Sequence, residues 1–484
     1  MRARSVQALA ALTVLAAILR FSTLDLQSYW FDEAVTVGLV KSSFGHMLSS
    51  IGGSESTPPL YYVIAWVWSR VFGDGEVGLR SLSALAGTAF VPVAYAAAAA
   101  LSSRRTALVI AALAAVSPLL IWYSQEARSY SLLVLFAGLS FLYFVRQLRE
   151  PRDSTLALWT LASALAIATH YFAGFLVAPE AAWLLLRARD RRRPAIAIGA
   201  LLVVAGALLP ILIRQRKLDL TSFITQTSLA KRIAQVAKQF IVGYASPAET
   251  VVTVVGALLV AYGLWLAYSR LVDRERRSAF VALLVGVSAV GVPIVLALLG
   301  ADYLDTRNVL AAWLPLMLVP AMGYAATRSG RAGIAAFAAL CALSLFVTVS
   351  VWANTSYQRD DVRGLARALG PPTVPRAIVL TPASASVPLR VYMAPFAQPG
   401  EPVVVREIDL AALPLRSNVF SGAKPPPRKP GYVLPVPGMK LVEQRFTNGY
   451  SLLRYRSATP VQIGPPALLF NRLDPRPAAV IYQR

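Results

Sequence analysis

The chain of 484 residues carries a formal charge of +23, yet 56% of it is hydrophobic and only 15% is charged. With a mean hydropathy of +0.57, an ordinary soluble domain is excluded, because such domains carry more charge and less apolar surface. The excess of basic residues does not indicate a nucleic-acid partner either, since it is dealt out in short clusters between long apolar blocks rather than gathered on one patch.

Those clusters are Arg2 and Arg4, Arg104 and Arg105, Arg146 to Arg152, Arg187 to Arg193, Arg270 to Arg277, and Arg328 with Arg331. Each closes one apolar block and opens the next, which is the positive-inside pattern and assigns these loops to the cytoplasm. Between them the sequence predicts about eleven membrane-spanning helices. The first runs from Val6 to Leu24. It reads as a retained helix and not a cleaved signal peptide, because no small-x-small site follows. A long outer loop reaches Arg80. Further spans are expected at roughly 81–101, 107–123, 131–147, 155–170, 171–187 and 194–213. Four more are expected at roughly 250–269, 279–299, 308–327 and 331–352. An odd count with the N-terminus inside leaves the C-terminal part outside. Cys341, the one cysteine, lies in the last span and forms no intrachain disulfide.

The outer loop from Arg214 to Pro247 departs from the positive-inside trend. From Leu229 to Ile241, Lys231, Arg232 and Lys238 alternate with apolar residues at helical spacing, as in a helix lying on a membrane surface. Such cations suit anchoring on anionic headgroups or capture of an anionic lipid substrate. After Trp352 the composition changes. SYQRDDVRGLARALG reads as an amphipathic helix, RAIVLT and EPVVVREI as strands, and LVEQRFTNGYSLLRYR as a hairpin turning at Asn448–Gly449. Prolines from Pro425 to Pro437 mark an extended connector. The expected organisation is a membrane domain over 1–352 and a small extracytoplasmic α/β domain over 353–484.

Polar groups gather at the outer ends of the spans. They are Asp32–Glu33 after Tyr29 and Trp30, the run Ser56 to Tyr62, the run Tyr123 to Leu132, Thr169 to Phe172, and Asp302 to Asn308. Carboxylates beside arginines and aromatic rings on one face suit transfer of a sugar from a phospholipid carrier. A carboxylate takes the proton of the attacking hydroxyl. A cation stabilises the leaving phosphate, and arginine suits phosphate because it offers two parallel donors. Asp32 or Glu33 is the candidate base, and Arg128 or Arg307 the candidate phosphate partner. Tyr61, Tyr130 and His170 complete the substrate-binding set. Each has a plainer reading: solvated carboxylates, a loop ion pair between Arg128 and Glu126, and a helix-capping histidine. Glu180 lies in the middle of a span, where a carboxylate is costly and is expected to be buried and paired or protonated.

The ordered set WFDEA (Trp30–Ala34), TPPLYY (Thr57–Tyr62), Leu79–Arg80 and QEARSYSL (Gln125–Leu132) resembles the GT-C class glycosyltransferases. More narrowly it is similar to the family 39-like group of polyprenyl-phosphate-sugar transferases. That group includes protein O-mannosyltransferases, aminoarabinose lipid A transferases and lipopolysaccharide-core transferases. The resemblance covers roughly the first 330 residues, with an echo in YQRDDVRGLARAL. It implies that Asp32 and Glu33 lie at the catalytic centre, that Arg128 is the arginine before the fourth span, and that Arg307–Asn308 replaces an arginine–tyrosine pair. It also implies an undecaprenyl or decaprenyl phosphate sugar donor on the outer leaflet and an inverting reaction. Some members bind a divalent cation; Asp32, Glu33 and His170 are too sparse a set to decide that here.

The sequence therefore predicts a polytopic glycosyltransferase of a bacterial inner membrane. It would move a hexose or pentose from a polyprenyl phosphate to an extracytoplasmic glycan, lipid or protein. Within enzymes the next reading is an O-antigen-ligase-like or lipid-modifying phosphotransferase. The rival from another class is a transporter or flippase of lipid-linked sugars. It would spread charges through the middle of several spans or show broken helices in matched halves.

Overall fold

A computed structural model describes residues 2–218, 222–393, 395–415 and 424–484. The chain forms two compact units. One is Met1–Leu24 with Leu39–Val349, and the other is Asp25–Gly38 with Ser350–Arg484. Asp25–Gly38, read from sequence as part of the membrane domain, thus groups with the C-terminal residues.

The first unit is helical. Among the described residues eight helices are long and apolar enough to cross a membrane: Ala3–Phe21, Glu76–Leu101, Tyr130–Arg149, Arg192–Arg216, Glu249–Arg270, Asp273–Leu298, Thr306–Ala325 and Thr327–Ala353. The pair Arg104–Val116 and Pro118–Ser124, bent by 55°, makes a ninth if it is one span. All eleven predicted spans fall on helices. Two of them, Asp153–Thr169 with 17 residues and Gly174–Arg187 with 14, are shorter than a full crossing. Leu60–Phe72 is a further apolar helix inside the first outer loop, unforeseen because it belongs to none of the long blocks.

The bend has a chemical cause. Pro118 has no N–H, so the carbonyl of Ala114 loses its partner four residues on, and the helix restarts with Ser117 accepting from the Leu120 N–H at 3.4 Å. Arg20, fully buried in the first span, supplies the missing donors. Its guanidinium donates to the carbonyl oxygens of Ala114 and Ala115, both at 2.9 Å, and to Ser124 Oγ at 3.2 Å. A charge at that depth is tolerable because each lobe of the fork meets an orphaned oxygen at the negative end of a helix. Close packing of helices elsewhere depends on small residues. A Cβ at Gly323 would lie 2.0 Å from the carbonyl oxygen of Gly263, so Trp313–Ala325 and Glu249–Arg270 touch backbone to backbone there.

Glu180 has no exposure. Its Oε2 accepts from Ser140 Oγ at 2.6 Å and from the Trp159 indole at 2.9 Å, and Ser140 meets Ser163 at 2.8 Å. The carboxyl therefore ties three helices together through hydrogen bonds.

The second unit is built on five strands: β1 Arg376–Thr381, β2 Val403–Ala412, β3 Lys440–Phe446, β4 Ser451–Ile463 and β5 Ala479–Gln483. They form one sheet in the order β3-β4-β2-β1-β5. β1 and β2 run parallel, with Arg376 opposite Glu407, and the other pairs are antiparallel. Alternation along β1 decides its two faces. Ile378 and Leu380 meet helices Val362–Leu369 and Ser386–Tyr392, while Ala377 and Val379 meet Leu434, Leu468 and Leu473. The predicted hairpin is present as β3 and β4. Strand β5 and helix Ser386–Tyr392 were not foreseen.

Candidate functional site

Asp32 and Glu33 occupy the first turn of helix Phe31–Lys41. Trp30 stands at its N-cap, and Glu33 reaches back so that its Oε2 accepts the Trp30 backbone N–H at 3.4 Å, half of a capping box. Glu33 is fully buried, and Arg359 Nη1 lies 3.6 Å from its Oε2. The same guanidinium sits over the Trp30 ring, 4.7 Å from its centroid. Asp32, one residue earlier, is only half-buried. The adjacent carboxylates are thus placed differently, one turned into packing and one at the surface of the turn.

The segment leading into this turn is tied to residues from beyond the membrane spans. Tyr29 donates its N–H to the Tyr392 hydroxyl at 2.6 Å, and Gln27 Oε1 accepts from the Arg359 N–H at 2.8 Å. Arg363 donates from its backbone to Ser28 Oγ at 3.1 Å and from its guanidinium to the Asp25 carbonyl at 2.7 Å. Asp361 caps helix Val362–Leu369 through the Gly364 N–H at 2.8 Å. These bonds are the physical reason the acidic motif groups with the C-terminal unit.

In the membrane unit the expected arginines behave unlike each other. Arg128 donates from Nη1 and Nη2 to the two oxygens of Glu55 at 2.8 and 2.9 Å, and both side chains are 4% exposed. This fork is made with a carboxylate 73 positions earlier, which the sequence did not suggest. A phosphate meeting Arg128 would find Glu55 already there. Arg307 is 18% exposed, lies over the Phe223 ring at 5.0 Å and has Asp305 at 3.8 Å. Tyr61 is buried edge-to-face on Tyr62, which itself lies under Arg128 and bonds Thr57 at 3.0 Å.

His170 ends helix Asp153–Thr169 and begins the next turn. Its Nδ1 accepts the Phe172 N–H at 3.3 Å, so the second ring nitrogen carries the proton. Tyr130 packs against it at 6.1 Å. The structure therefore brings Tyr61, Arg128, Tyr130, His170 and Arg307 into one unit and Asp32 and Glu33 into the other.

The basic helix Leu229–Val242 differs from expectation. Arg232 donates to both oxygens of Asp302, which holds that carboxyl below its usual range, and Lys238 pairs with Glu249. These two cations face inward and are not presented to a lipid headgroup; Lys231 remains exposed. Among the described residues no three His, Cys, Asp or Glu side chains are gathered as a metal would need.

Glu55 and Arg359 were missed as functional candidates. Glu55 belongs to the SESTPP loop, where no local spacing points to Arg128. Arg359 lies in the motif echo that followed the last span, which gave no partner for it.

Residues 56–213 match the family model described as dolichyl-phosphate-mannose-protein mannosyltransferase. No curated protein sequence matches the chain. The structure of ArnT from Cupriavidus metallidurans, solved with undecaprenyl phosphate, is similar with a TM-score of 0.52 at 14% identity, over 92% of this chain and 97% of that one. Two others score lower. Archaeal oligosaccharyltransferase AglB from Archaeoglobus fulgidus gives 0.46 at 12% identity, over 75% of this chain and 57% of its own. The S. cerevisiae Pmt1–Pmt2 complex gives 0.36 at 17%, over 45% and 34%. Residues 56–213 thus resemble a mannosyltransferase family, and the chain as a whole shares the fold of ArnT.

Proposed function

We propose that the protein moves a sugar from a polyprenyl-phosphate carrier to an acceptor outside the cytoplasm, with inversion at the anomeric carbon. The carrier class is supported by the mannosyltransferase-family segment and by the undecaprenyl phosphate held by the similar ArnT structure. The observation that carries the assignment of roles is the asymmetry of the acidic pair. Glu33 is buried in a cap and beside Arg359, whereas Asp32 is half-buried at the same helix start. Asp32 is the group able to meet an acceptor hydroxyl.

In this reading Asp32 accepts the hydroxyl proton while the acceptor oxygen attacks the anomeric carbon from the face opposite the phosphate. The bond from that carbon to the phosphate oxygen breaks, and the polyprenyl phosphate leaves as the anion. Arg307, partly exposed on an outer turn, stabilises the charge that develops on it. Arg128 holds Glu55 and lies over the Tyr62 ring. Tyr61, Tyr130 and neutral His170 line the substrate side without carrying charge.

Mass spectrometry of lipid-linked sugars and envelope glycans, from cells with and without the protein, tests this. A polyprenyl-phosphate sugar that accumulates in its absence, with loss of one envelope glycoform, is the expected result. Unchanged lipid-linked pools and glycans would count against transfer.

A further inference from the structure

We infer that Arg359 is a positioning residue for the acidic turn, so that the C-terminal unit takes part in turnover rather than serving as an appendage. The inference deepens the transfer reading above and rests on it for the role of Asp32. One guanidinium meets the turn at two points, lying 4.7 Å over the Trp30 ring at the N-cap and 3.6 Å from the Glu33 carboxylate at the third helical position. Those are the residues on either side of Phe31 and Asp32. A planar cation pressed between a ring and a carboxylate has few other orientations, and its side chain is only 11% exposed. The backbone of Arg359 is itself fixed by Gln27 at 2.8 Å, and Arg363, four residues on, ties down Asp25 and Ser28.

The direction of Asp32 follows from the turn, because the orientations of the first helical residues are set by the cap and by the third-position carboxylate. Without Arg359, the buried Glu33 carboxylate loses a cation beside it, and the turn opens to hydrate it. The Trp30 indole N–H, which has no acceptor among the described residues, would lose the guanidinium that covers its ring. The consequence for a base is misdirection rather than loss of donor affinity.

The test uses the full-length protein in nanodiscs. Its substrates are the polyprenyl-phosphate fraction and the envelope acceptor fraction extracted from cells lacking the protein. Arg359→Gln and Arg359→Lys are compared with the parent by hydrogen exchange and by turnover. In Arg359→Gln, amide exchange over residues 29–36 should rise by ~10-fold or more while the sheet of the second unit stays protected. Turnover should fall by about 10-fold or more with donor half-saturation unchanged. Arg359→Lys, which keeps the charge, should recover part of both. Unchanged exchange in Arg359→Gln overturns the inference, as does looser exchange with parental turnover. A raised half-saturation with parental kcat also overturns it, by making Arg359 a donor-binding group. If the parent protein itself consumes no donor, the transfer reading fails, and the exchange result alone decides whether Arg359 holds the turn.

Discussion

Arg128 and Arg307 enter the sequence argument as equals, two outer-loop arginines fit to meet a phosphate, and packing separates them. Arg128 spends its fork on Glu55 inside the protein. Removing one partner of such a buried pair costs ~3–5 kcal/mol because the other charge is left behind. Arg128→Ala is therefore expected to lower the thermal midpoint in detergent sharply, and Arg128→Lys to lower it less, since lysine reaches only one oxygen at a time. Arg307→Gln should leave the midpoint within a degree or two, roughly the effect of a partly exposed surface change, and cut turnover by about 100-fold. A stable Arg128→Ala protein, or an Arg307→Gln protein with parental turnover, would reverse the roles.

At the scale of elements, the broken span Arg104–Val116 with Pro118–Ser124 depends on space as well as on hydrogen bonds. Gly87 of helix Glu76–Leu101 faces the join. A Cβ there would lie 2.0 Å from Ser124 Oγ and 3.1 Å from Arg20 Nε. Gly87→Ala is expected to push Ser124 off the guanidinium and destabilise the fold by more than the ~1 kcal/mol that alanine gains over glycine in a helix. Gly206→Ala, in helix Arg192–Arg216 where a Cβ would meet nothing within 4 Å, should be neutral or stabilising. Thermal unfolding of the two variants side by side checks this, and equal midpoints would mean that the join yields more readily than its packing suggests. The apolar run from Ala107 to Tyr123 predicted a span at this place, but not its bend. Pro118 alone fixes where a helix is interrupted; whether it bends or ends depends on Arg20, from another helix 94 positions earlier than Ala114's carbonyl in the chain.

For the molecule as a whole, what was legible in the sequence is what repeats locally. Apolar length placed the spans, period-two alternation placed β1 and the hairpin, and the ordered motifs WFDEA, TPPLYY and QEARSYSL gave the GT-C resemblance. What was not legible is long-range pairing. Glu55 with Arg128, Arg20 with Ala114, and Glu33 with Arg359 join residues whose neighbours in sequence say nothing of each other. The membership of Asp25–Gly38 in the C-terminal unit is a further case, since its local composition is only that of a loop entering a helix. The central claim of the account is that Asp32 is the base of a polyprenyl-phosphate-dependent transfer. It is tested most directly by supplying Asp32→Asn to cells lacking the protein and quantifying their polyprenyl-phosphate sugars, with the membrane level of the variant matched to the parent. Asparagine keeps the size and the hydrogen-bonding shape but cannot take the proton, and a positioned base contributes about two to four orders of magnitude in rate. The account predicts that the sugar-loaded carrier accumulates as in cells without the protein; a pool held at the parental level by a normally inserted Asp32→Asn protein would contradict it.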